Sequence, residues 1–308
     1  MIRFPTVLVI GAGSSIPYGF PSGKALRDTI CSPGFDLSIA NLHGRSKAID
    51  FVKSFRDSHI NSIDAFLSRR PEFVEIGKLA IARIICKAEN PYIFQTPIDD
   101  DWYSLLWNKI VSDIHSIEDL NKNVIKVVTF NYDRSLEYFL HTSIMNTFNV
   151  AYVTAFDALK HIPIVHFYGQ LGELSSGYST NGLPYNHDHD EDFFYKASTG
   201  IKIIPETRKD EEVSKTISEW FVKARNIFFL GFGFDNLNIE RLGLKETLKN
   251  NFVPGQQTLS IMASTYGLTL SESNLAGSLL TGDFKSSIWS SSFGKSTDTL
   301  RHFAEKFI

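Results

Sequence analysis

Cysteine and long apolar runs are the scarcest features of this sequence. Only Cys31 and Cys86 occur among 308 residues. Neither belongs to a C-x-x-C pair, so no disulfide framework is expected, and two cysteines cannot supply a four-cysteine zinc module. No apolar run reaches the roughly 18 residues that a membrane-spanning helix needs, and the run at 7–10 leads into glycine instead of a signal-peptide cleavage site. These absences predict a cytoplasmic protein with no membrane segment and no structural zinc.

A strong charge of either sign is also missing. The formal net charge is −3, with 21% charged and 43% hydrophobic residues. That balance suits a globular protein and gives no strong attraction of the whole chain to nucleic acid or anionic lipid. Neither a G-x-S-x-G nor a Walker A motif occurs. The run 187–192, rich in His and Asp, is typical of a solvated turn, and we predict no metal site there.

Short apolar runs alternate with helical periodicity along most of the chain. The runs are rich in β-branched residues and continuous, which is typical of strands buried on both faces of a parallel sheet. The predicted strands are 7–10, 124–130, 162–167, 201–204, 226–230 and 258–262, and the predicted helices include 133–142, 211–224 and 298–307. This alternation predicts an α/β fold with a Rossmann-like parallel sheet and helices on both faces.

The segment 24–120 has a different pattern. Its apolar residues recur at i, i+3 and i+4, for example through 73–85, and no convincing strand interrupts them. We therefore predict a mostly helical insertion after the first strand. The chain then divides into a Rossmann-like domain, 1–23 and 121–308, and a helical insertion, 24–120.

The first predicted strand runs directly into a segment that we call the glycine loop, formed by Gly11, Ala12, Gly13, Ser14 and Ser15. Glycines there allow a tight turn and a close approach of backbone N–H groups to a pyrophosphate at a helix N-terminus. The serines add hydroxyl donors. The third glycine of the dinucleotide fingerprint is replaced by Ile16, so a hydride-transferring dehydrogenase is not indicated. A tight turn without a ligand is the alternative.

Polar residues and glycines also follow three later strands. Asn131 and Asp133 come after the strand at 124–130, and His166 lies near the end of the next strand. The turn after the strand at 226–230 contributes Gly231, Gly233 and Asp235. Ligands of open α/β sheets bind outside the carboxyl ends of the strands, so we expect these residues to share one edge of the sheet.

Together these motifs resemble the sirtuin family. The glycine loop is similar to the family's G-A-G-[AS]-S phosphate loop. The segment 129–133, Thr-Phe-Asn-Tyr-Asp, is similar to its T-x-N-x-D motif, and the strand end with His166 to its catalytic histidine. The segments 62–67 and 230–236 resemble the sirtuin-like branch found in bacterial antiphage systems. The resemblance covers most of the chain and implies that NAD is bound as a substrate.

Three departures separate the chain from the sirtuin deacylases. The zinc module is missing, the I-P-[DE]-F-R segment is replaced by Ile-Pro-Tyr-Gly-Phe at 16–20, and Phe130 stands where deacylases have Gln. The resemblance therefore implies an NAD glycohydrolase of antiphage defence, which releases nicotinamide and linear or cyclised ADP-ribose, with no zinc. The alternatives are a catalytically silent module that senses NAD or ADP-ribose, an NAD-dependent protein deacylase, and a structural subunit.

The resemblance implies two catalytic residues. The Asn131 amide suits the ribose hydroxyls or a water beneath C1′, and the His166 imidazole suits a general base. Tyr168 is the alternative to His166, and in an extended segment both side chains would face the same side. The implied NAD-binding residues are Gly11, Ala12, Gly13, Ser14, Ser15, Asn131, Asp133, Gly231, Gly233 and Asp235. Helix capping is the alternative role of Asp133 and Asp235, and a buried histidine bonded to backbone is the alternative for His166.

The catalytic core implied by the resemblance takes up the chain and leaves no room for a separate sensor domain. We therefore expect activity to be controlled by self-assembly into a homo-oligomer or by a separately encoded regulatory or sensor protein. No direct contact with nucleic acid or membrane is expected.

Overall fold

The computed structural model describes residues 1–35, 38–39, 44–175, 182–185, 190–203, 211–253 and 258–307. Their six strands form one sheet. The strands are β1 (Thr6–Ile10), β2 (Ile125–Thr129), β3 (Ile164–His166), β4 (Asn226–Leu230), β5 (Ser260–Ser264) and β6 (Trp289–Ser292). Every neighbouring pair is parallel, and the strand order is β3-β2-β1-β4-β5-β6. The predicted α/β fold with a Rossmann-like parallel sheet is confirmed.

The centre of the sheet explains the apolar runs. All five residues of β1 and all five of β4 are buried, because neighbouring strands and helices cover them on both sides. Strands β2 and β3 follow one another on one side of β1. The chain then crosses to the other side of β1, where β4, β5 and β6 follow one another. The order therefore reverses between β1 and β4. In open parallel sheets this is the position at which the loops diverge and leave a crevice for ligands.

Helices flank the sheet. In chain order they are α1 (Gly23–Ile30), α2 (Arg45–Asp57), α3 (Ile63–Leu67), α4 (Val74–Ala88), α5 (Trp102–Val111), α6 (Ser135–Phe148), α7 (Tyr152–Leu159), α8 (Glu191–Thr199), α9 (Glu211–Lys223), α10 (Asn236–Leu242), α11 (Leu244–Asn251), α12 (Leu270–Thr281), α13 (Lys285–Ile288) and α14 (Ser296–His302). Between β1 and β2 the described residues form helices and 3₁₀ turns and no strand, as the periodicity predicts.

The helical segment between β1 and β2 packs closely onto the rest of the molecule. Helix α4 lies against α8, and α5 lies against both α6 and α14. One continuous cluster of buried apolar side chains includes Phe51 and Ile81 of this segment together with Leu8 and Phe228 of the sheet. The helical segment and the sheet thus share a single core.

One predicted strand is not formed, and one strand of the structure was not predicted. Residues 201–203 form no regular strand: Ile201 makes an isolated antiparallel bridge with Gly169, and Ile204 lies outside the described residues. Conversely, β6 was not predicted, because its sequence Trp-Ser-Ser-Ser lacks an apolar run. It lies at the edge of the sheet, where polar side chains are tolerated.

Within the described parts of the chain, no helix combines the length and apolar character required to cross a bilayer. The His- and Asp-rich residues 186–189 lie outside the described residues.

Candidate functional site

The glycine loop meets the turn after β4 at the point where the strand order reverses. The amide of Gly11 donates to the Leu230 carbonyl at 3.1 Å, and the amide of Gly13 donates to the Gly231 carbonyl at 2.9 Å. A Cβ placed on either loop glycine would lie 2.8 Å from the Gly231 oxygen. The glycines are thus required by the packing of two backbones against each other, whether or not a ligand binds.

The conformation of the glycine loop differs from the predicted phosphate cradle. The loop enters two short 3₁₀ turns, Ala12–Ser14 and Ile16–Tyr18, and α1 begins only at Gly23, after the N-cap Ser22. The Ser14 and Ser15 amides donate to the Gly11 and Ala12 carbonyls, so these N–H groups point into the turn. The glycine loop therefore does not lie at the N-terminus of an α-helix, and its contact with a pyrophosphate stays a prediction. Close packing with the β4 turn has determined its shape instead.

Asn131 connects the end of β2 to the glycine loop. Its side-chain Nδ2 donates to the Gly11 carbonyl at 3.1 Å and to the Ser15 hydroxyl at 2.9 Å, while its Oδ1 accepts no hydrogen bond from the described residues. The residue is only 6% exposed. A buried carbonyl oxygen without a donor is uncommon and costs free energy unless water or a ligand satisfies it. Asn131 therefore offers one fixed and unsatisfied acceptor.

His166 lies beside Asn131 and is held at both ring nitrogens. Nδ1 is 2.9 Å from the main-chain oxygen of Asn131, and Nε2 is 2.5 Å from Oε1 of Glu137 on α6. Burial alone would lower the pKa of the imidazole, but the charge and hydrogen bond of Glu137 outweigh burial, so the pKa of His166 is raised. A carbonyl can only accept, so Nδ1 carries a hydrogen, and a further hydrogen lies between Nε2 and the carboxyl group. In this arrangement neither nitrogen has a free lone pair.

Tyr168, two residues after the end of β3, points away from His166. The His166 carbonyl accepts from the Gly169 amide at 3.2 Å, and Gly169 has φ +68°, so residues 166–169 form a tight turn. The Tyr168 hydroxyl consequently contacts α10, at 2.5 Å from Asn238 Oδ1 and 3.2 Å from an Arg241 guanidinium nitrogen. The extended segment that would place His166 and Tyr168 side by side is not formed. They occupy separate positions.

Asp133 is buried and lies two residues before α6. Its Oδ1 accepts from the Ser135 amide at 3.1 Å and from the Ser135 hydroxyl. Burial raises the pKa of the Asp133 carboxyl, although hydrogen bonds from Ser135 and Ser15 act in the opposite direction. Because Arg134 is the N-cap of α6 and no side chain caps the helix there, these bonds form a local turn before α6 and not the N-cap that was one of the two roles considered from the sequence. The Ser15 interaction also links Asp133 to the glycine loop.

Of the three residues predicted from the turn after β4, Gly231 lies in the site. Gly231 has φ +57° and lies against the glycine loop, whereas a Cβ on the exposed Gly233 would meet nothing within 4 Å. The Asp235 carboxylate accepts from the amides of Leu237 and Asn238 at 3.0 and 3.4 Å and so caps α10. The structure therefore brings the glycine loop, Asn131, Asp133, His166 and Gly231 together, and leaves Gly233 and Asp235 at its margin.

Several residues of this site were not predicted from the sequence. The Trp102 indole donates to the Ser14 carbonyl at 2.8 Å, and the Tyr103 hydroxyl is 2.7 Å from the Ser135 hydroxyl. Both begin α5, more than 80 residues from the glycine loop, and apolar periodicity alone assigns them to a core. Glu137 was missed as well, because an acidic residue in the first turn of a helix is common.

A buried ion pair flanks Asp133. The Arg134 guanidinium binds both carboxylate oxygens of Glu89, at 2.9 and 2.7 Å, and both side chains are fully buried. Arg134 also donates to the main-chain oxygens of Leu183 and Pro184 at 2.8 and 3.2 Å. It thereby fixes the segment 182–185 next to the site.

A cavity of about 550 Å³ opens at the same edge of the sheet, near the ends of β5 and β6. Its wall includes Asp100 and Asp101, which precede Trp102 and hence adjoin the glycine loop. Tyr266 and Lys295 also line the cavity. In the described part of the chain, no group of three or more His, Cys, Asp or Glu side chains is arranged to hold a metal ion.

No protein-family model matches the chain, and no curated protein matches its sequence. The assignments below therefore rest on the geometry of the site and on the motifs of the sequence.

Proposed function

We propose that the chain binds NAD at the carboxyl edge of the sheet, between β1 and β4, and cleaves its nicotinamide–ribose bond. The observation that carries this proposal is the buried, unsatisfied Oδ1 of Asn131, whose own Nδ2 is fixed by the glycine loop. A ribose hydroxyl can donate to this oxygen in a conformation that opens the site, since Oδ1 is fully buried in the present structure. Leaving such a group unsatisfied costs about 1–3 kcal/mol, so a ligand that donates to it recovers much of that cost.

The dimensions of this edge suit a dinucleotide. Asn131 follows β2, and the cavity lies three strands away, near β5. Strands in a sheet are about 4.8 Å apart, so the two positions are separated by about 14 Å. A cavity of about 550 Å³ lies within the usual range for small-molecule sites. We propose that the nicotinamide riboside lies near Asn131 and that the adenosine end extends towards the cavity.

The proposed reaction needs little from the protein beyond positioning. As the nicotinamide–ribose bond breaks, its electrons go to the pyridine nitrogen, and nicotinamide leaves as a neutral molecule without a general acid. Positive charge develops at C1′, and water adds there to give ADP-ribose and a proton. Asn131 would hold a ribose hydroxyl in the orientation that favours this step, and holding reactants in place is a recognised source of rate.

The role of His166 depends on Glu137. The imidazole can remove a proton from water or from a ribose hydroxyl only when Nε2 has a free lone pair. That requires the hydrogen bond of 2.5 Å with Glu137 to open. We therefore assign His166 as a base only for a state in which this bond is broken.

The same pairing favours a second candidate function, a catalytically silent module that binds NAD or ADP-ribose. With both ring nitrogens engaged, the site has an acceptor for a ribose but no ready base. From the resemblance we further propose a role as an effector of bacterial antiphage defence in the cytoplasm, with regulation by self-association or by a separate protein.

Incubation of the purified protein with NAD, followed by chromatography of the products, tests the proposal. We expect release of nicotinamide by the wild-type protein and its loss in Asn131→Ala. Asn146→Ala is the matched control, because its amide bonds only its own helix at the surface. Thermal unfolding shows whether each variant folds. Thermal stabilisation by NAD without release of nicotinamide would favour the silent module. Absence of NAD binding by the folded wild-type protein would exclude both functions.

A further inference from the structure

Glu137 is a largely buried acidic side chain. It lies in the first turn of α6, its side chain is only 15% exposed, and its carboxylate contacts the similarly buried imidazole of His166. The opposite nitrogen of that ring contacts the main-chain oxygen of Asn131 at 2.9 Å. A continuous chain of hydrogen bonds thus runs from α6, across the end of β3, to the residue that carries the unsatisfied acceptor.

We infer that Glu137 is a positioning residue: through His166 it fixes the main chain of Asn131 and hence the direction in which Asn131 presents its Oδ1. This inference rests on the proposed function, since its purpose is to orient Asn131 for NAD. Glu137 itself would not touch the substrate.

The local backbone explains why such an anchor is needed. Residues 130–134 belong to no helix or strand, so no ladder of backbone hydrogen bonds fixes Asn131. The Asn131 amide donates instead to the Thr129 hydroxyl at 3.0 Å, and its carbonyl faces the imidazole of His166. Without a ring held at the correct angle, this buried carbonyl would lose its donor, which proteins rarely tolerate. Glu137 provides the second contact that holds the ring.

The anchor should also depend on pH. The ionisable groups that act on the imidazole are Glu137 and, more weakly, Asp133. Both carboxylates favour the protonated ring. When the hydrogen between Nε2 and Glu137 is lost at alkaline pH, a lone pair faces a carboxylate and the contact becomes repulsive. Affinity for NAD should then fall as the pH rises through the pKa of His166.

Two variants of Glu137 separate positioning from simple packing. Glu137→Gln keeps a group that can donate to Nε2 of a neutral ring, whereas Glu137→Ala removes the contact. The exposed Glu212 on α9 provides the control Glu212→Gln. NAD affinity is measured by calorimetry between pH 6 and about 9, around the ordinary His pKa of about 6.5. Nitrogen-15 NMR of the imidazole, assigned by comparison with His166→Gln, reports the protonation of each ring nitrogen.

We expect Glu137→Ala to weaken NAD binding at least about tenfold at neutral pH, the equivalent of about 1.4 kcal/mol. Glu137→Gln should bind within about threefold of wild type at neutral pH but lose the alkaline decline. Its His166 should titrate at lower pH than the wild-type ring and keep hydrogen on Nδ1. Unchanged affinity and pH profile in Glu137→Ala, or a wild-type ring without hydrogen on Nδ1, would overturn the inference alone. Absence of NAD binding by the wild-type protein would overturn the proposed function as well.

Discussion

Gly231 and Ser14 approach each other more closely than any side chain would permit. A Cβ on Gly231 would lie 1.9 Å from the amide nitrogen of Ser14, and Gly231 also has φ +57°. The contact joins the glycine loop to the turn after β4 and closes the floor of the proposed site. A glycine is therefore required at this position by both sterics and backbone conformation.

This contact predicts a large difference between two neighbouring glycines. Gly231→Ala should lower the free energy of unfolding by at least about 3 kcal/mol, because it combines a steric clash with a strained backbone. Gly233→Ala should change it by less than about 1 kcal/mol, since its Cβ meets no atom within 4 Å. Urea unfolding of the two variants measures both values. Similar values for the two would contradict the close packing of these loops.

The ion pair between Glu89 and Arg134 predicts that the free energy lost on breaking an ion pair depends strongly on its burial. Both side chains are fully buried, so Glu89→Gln should leave an uncompensated guanidinium charge and cost about 3–5 kcal/mol. Asp157→Asn removes the partner of Lys160 in an exposed pair and should cost less than about 1 kcal/mol. Chemical denaturation compares the two. A small loss of stability, equal in the two variants, would show that other groups compensate the charge of Arg134.

The raised pKa of the Asp64 carboxyl predicts that the free energy of unfolding depends on pH. Burial raises the pKa of its carboxyl, although the hydrogen bond from Tyr132 and the charge of Arg241 lower it. A raised carboxyl pKa means that the charged form destabilises the fold above the folded pKa, and that this penalty disappears as the pH falls below the unfolded value of about 3.9.

The free energy of unfolding of Asp64→Asn should therefore exceed that of wild type by the largest amount at pH 8. This difference should shrink towards acidic pH. The exposed Asp50 gives the control Asp50→Asn. Thermal unfolding across the pH range measures both differences. A difference for Asp64→Asn that grows towards acidic pH would contradict the sign of this argument.

Two tyrosines with buried hydroxyls predict different effects of losing that hydroxyl. The Tyr103 hydroxyl is bonded to Ser135, so Tyr103→Phe should cost about 1–2 kcal/mol. The Tyr185 hydroxyl is buried without a hydrogen-bond partner among the described residues, and its ring stacks on Tyr138 with centroids 4.1 Å apart. Tyr185→Phe keeps the stacking and should be neutral or slightly stabilising. A large loss for Tyr185→Phe would reveal a partner for its hydroxyl.

The sheet was predictable because its strands are encoded locally. Apolar runs such as 226–230 match β4 at both ends, since a strand buried on both faces can contain little else. The edge strand β6 was not predictable, because its polar residues carry no such pattern. A helix that begins with a capping side chain, such as α1 after Ser22, has a local signal in the sequence. The sequence carries no local signal for the segments against which such a helix packs.

The proximity of the predicted residues could be foreseen from the sequence, whereas their hydrogen bonds could not. The convergence of the glycine loop with Asn131 and His166 follows from the parallel sheet, which brings strand ends to one edge. The state of His166 does not, because it is determined by Glu137 from α6 and by a carbonyl whose direction depends on a turn. Likewise the shape of the glycine loop depends on its contact with Gly231, which is more than 200 residues away in the sequence. Such contacts between distant segments have no local signature.

The hydrogen bond from the Thr297 amide to the Asp100 carboxylate spans 197 residues of sequence. It joins the turn before α5 to the first turn of α14, and contacts of such long range slow folding. The helical segment between β1 and β2 therefore completes its packing only after α14 has docked.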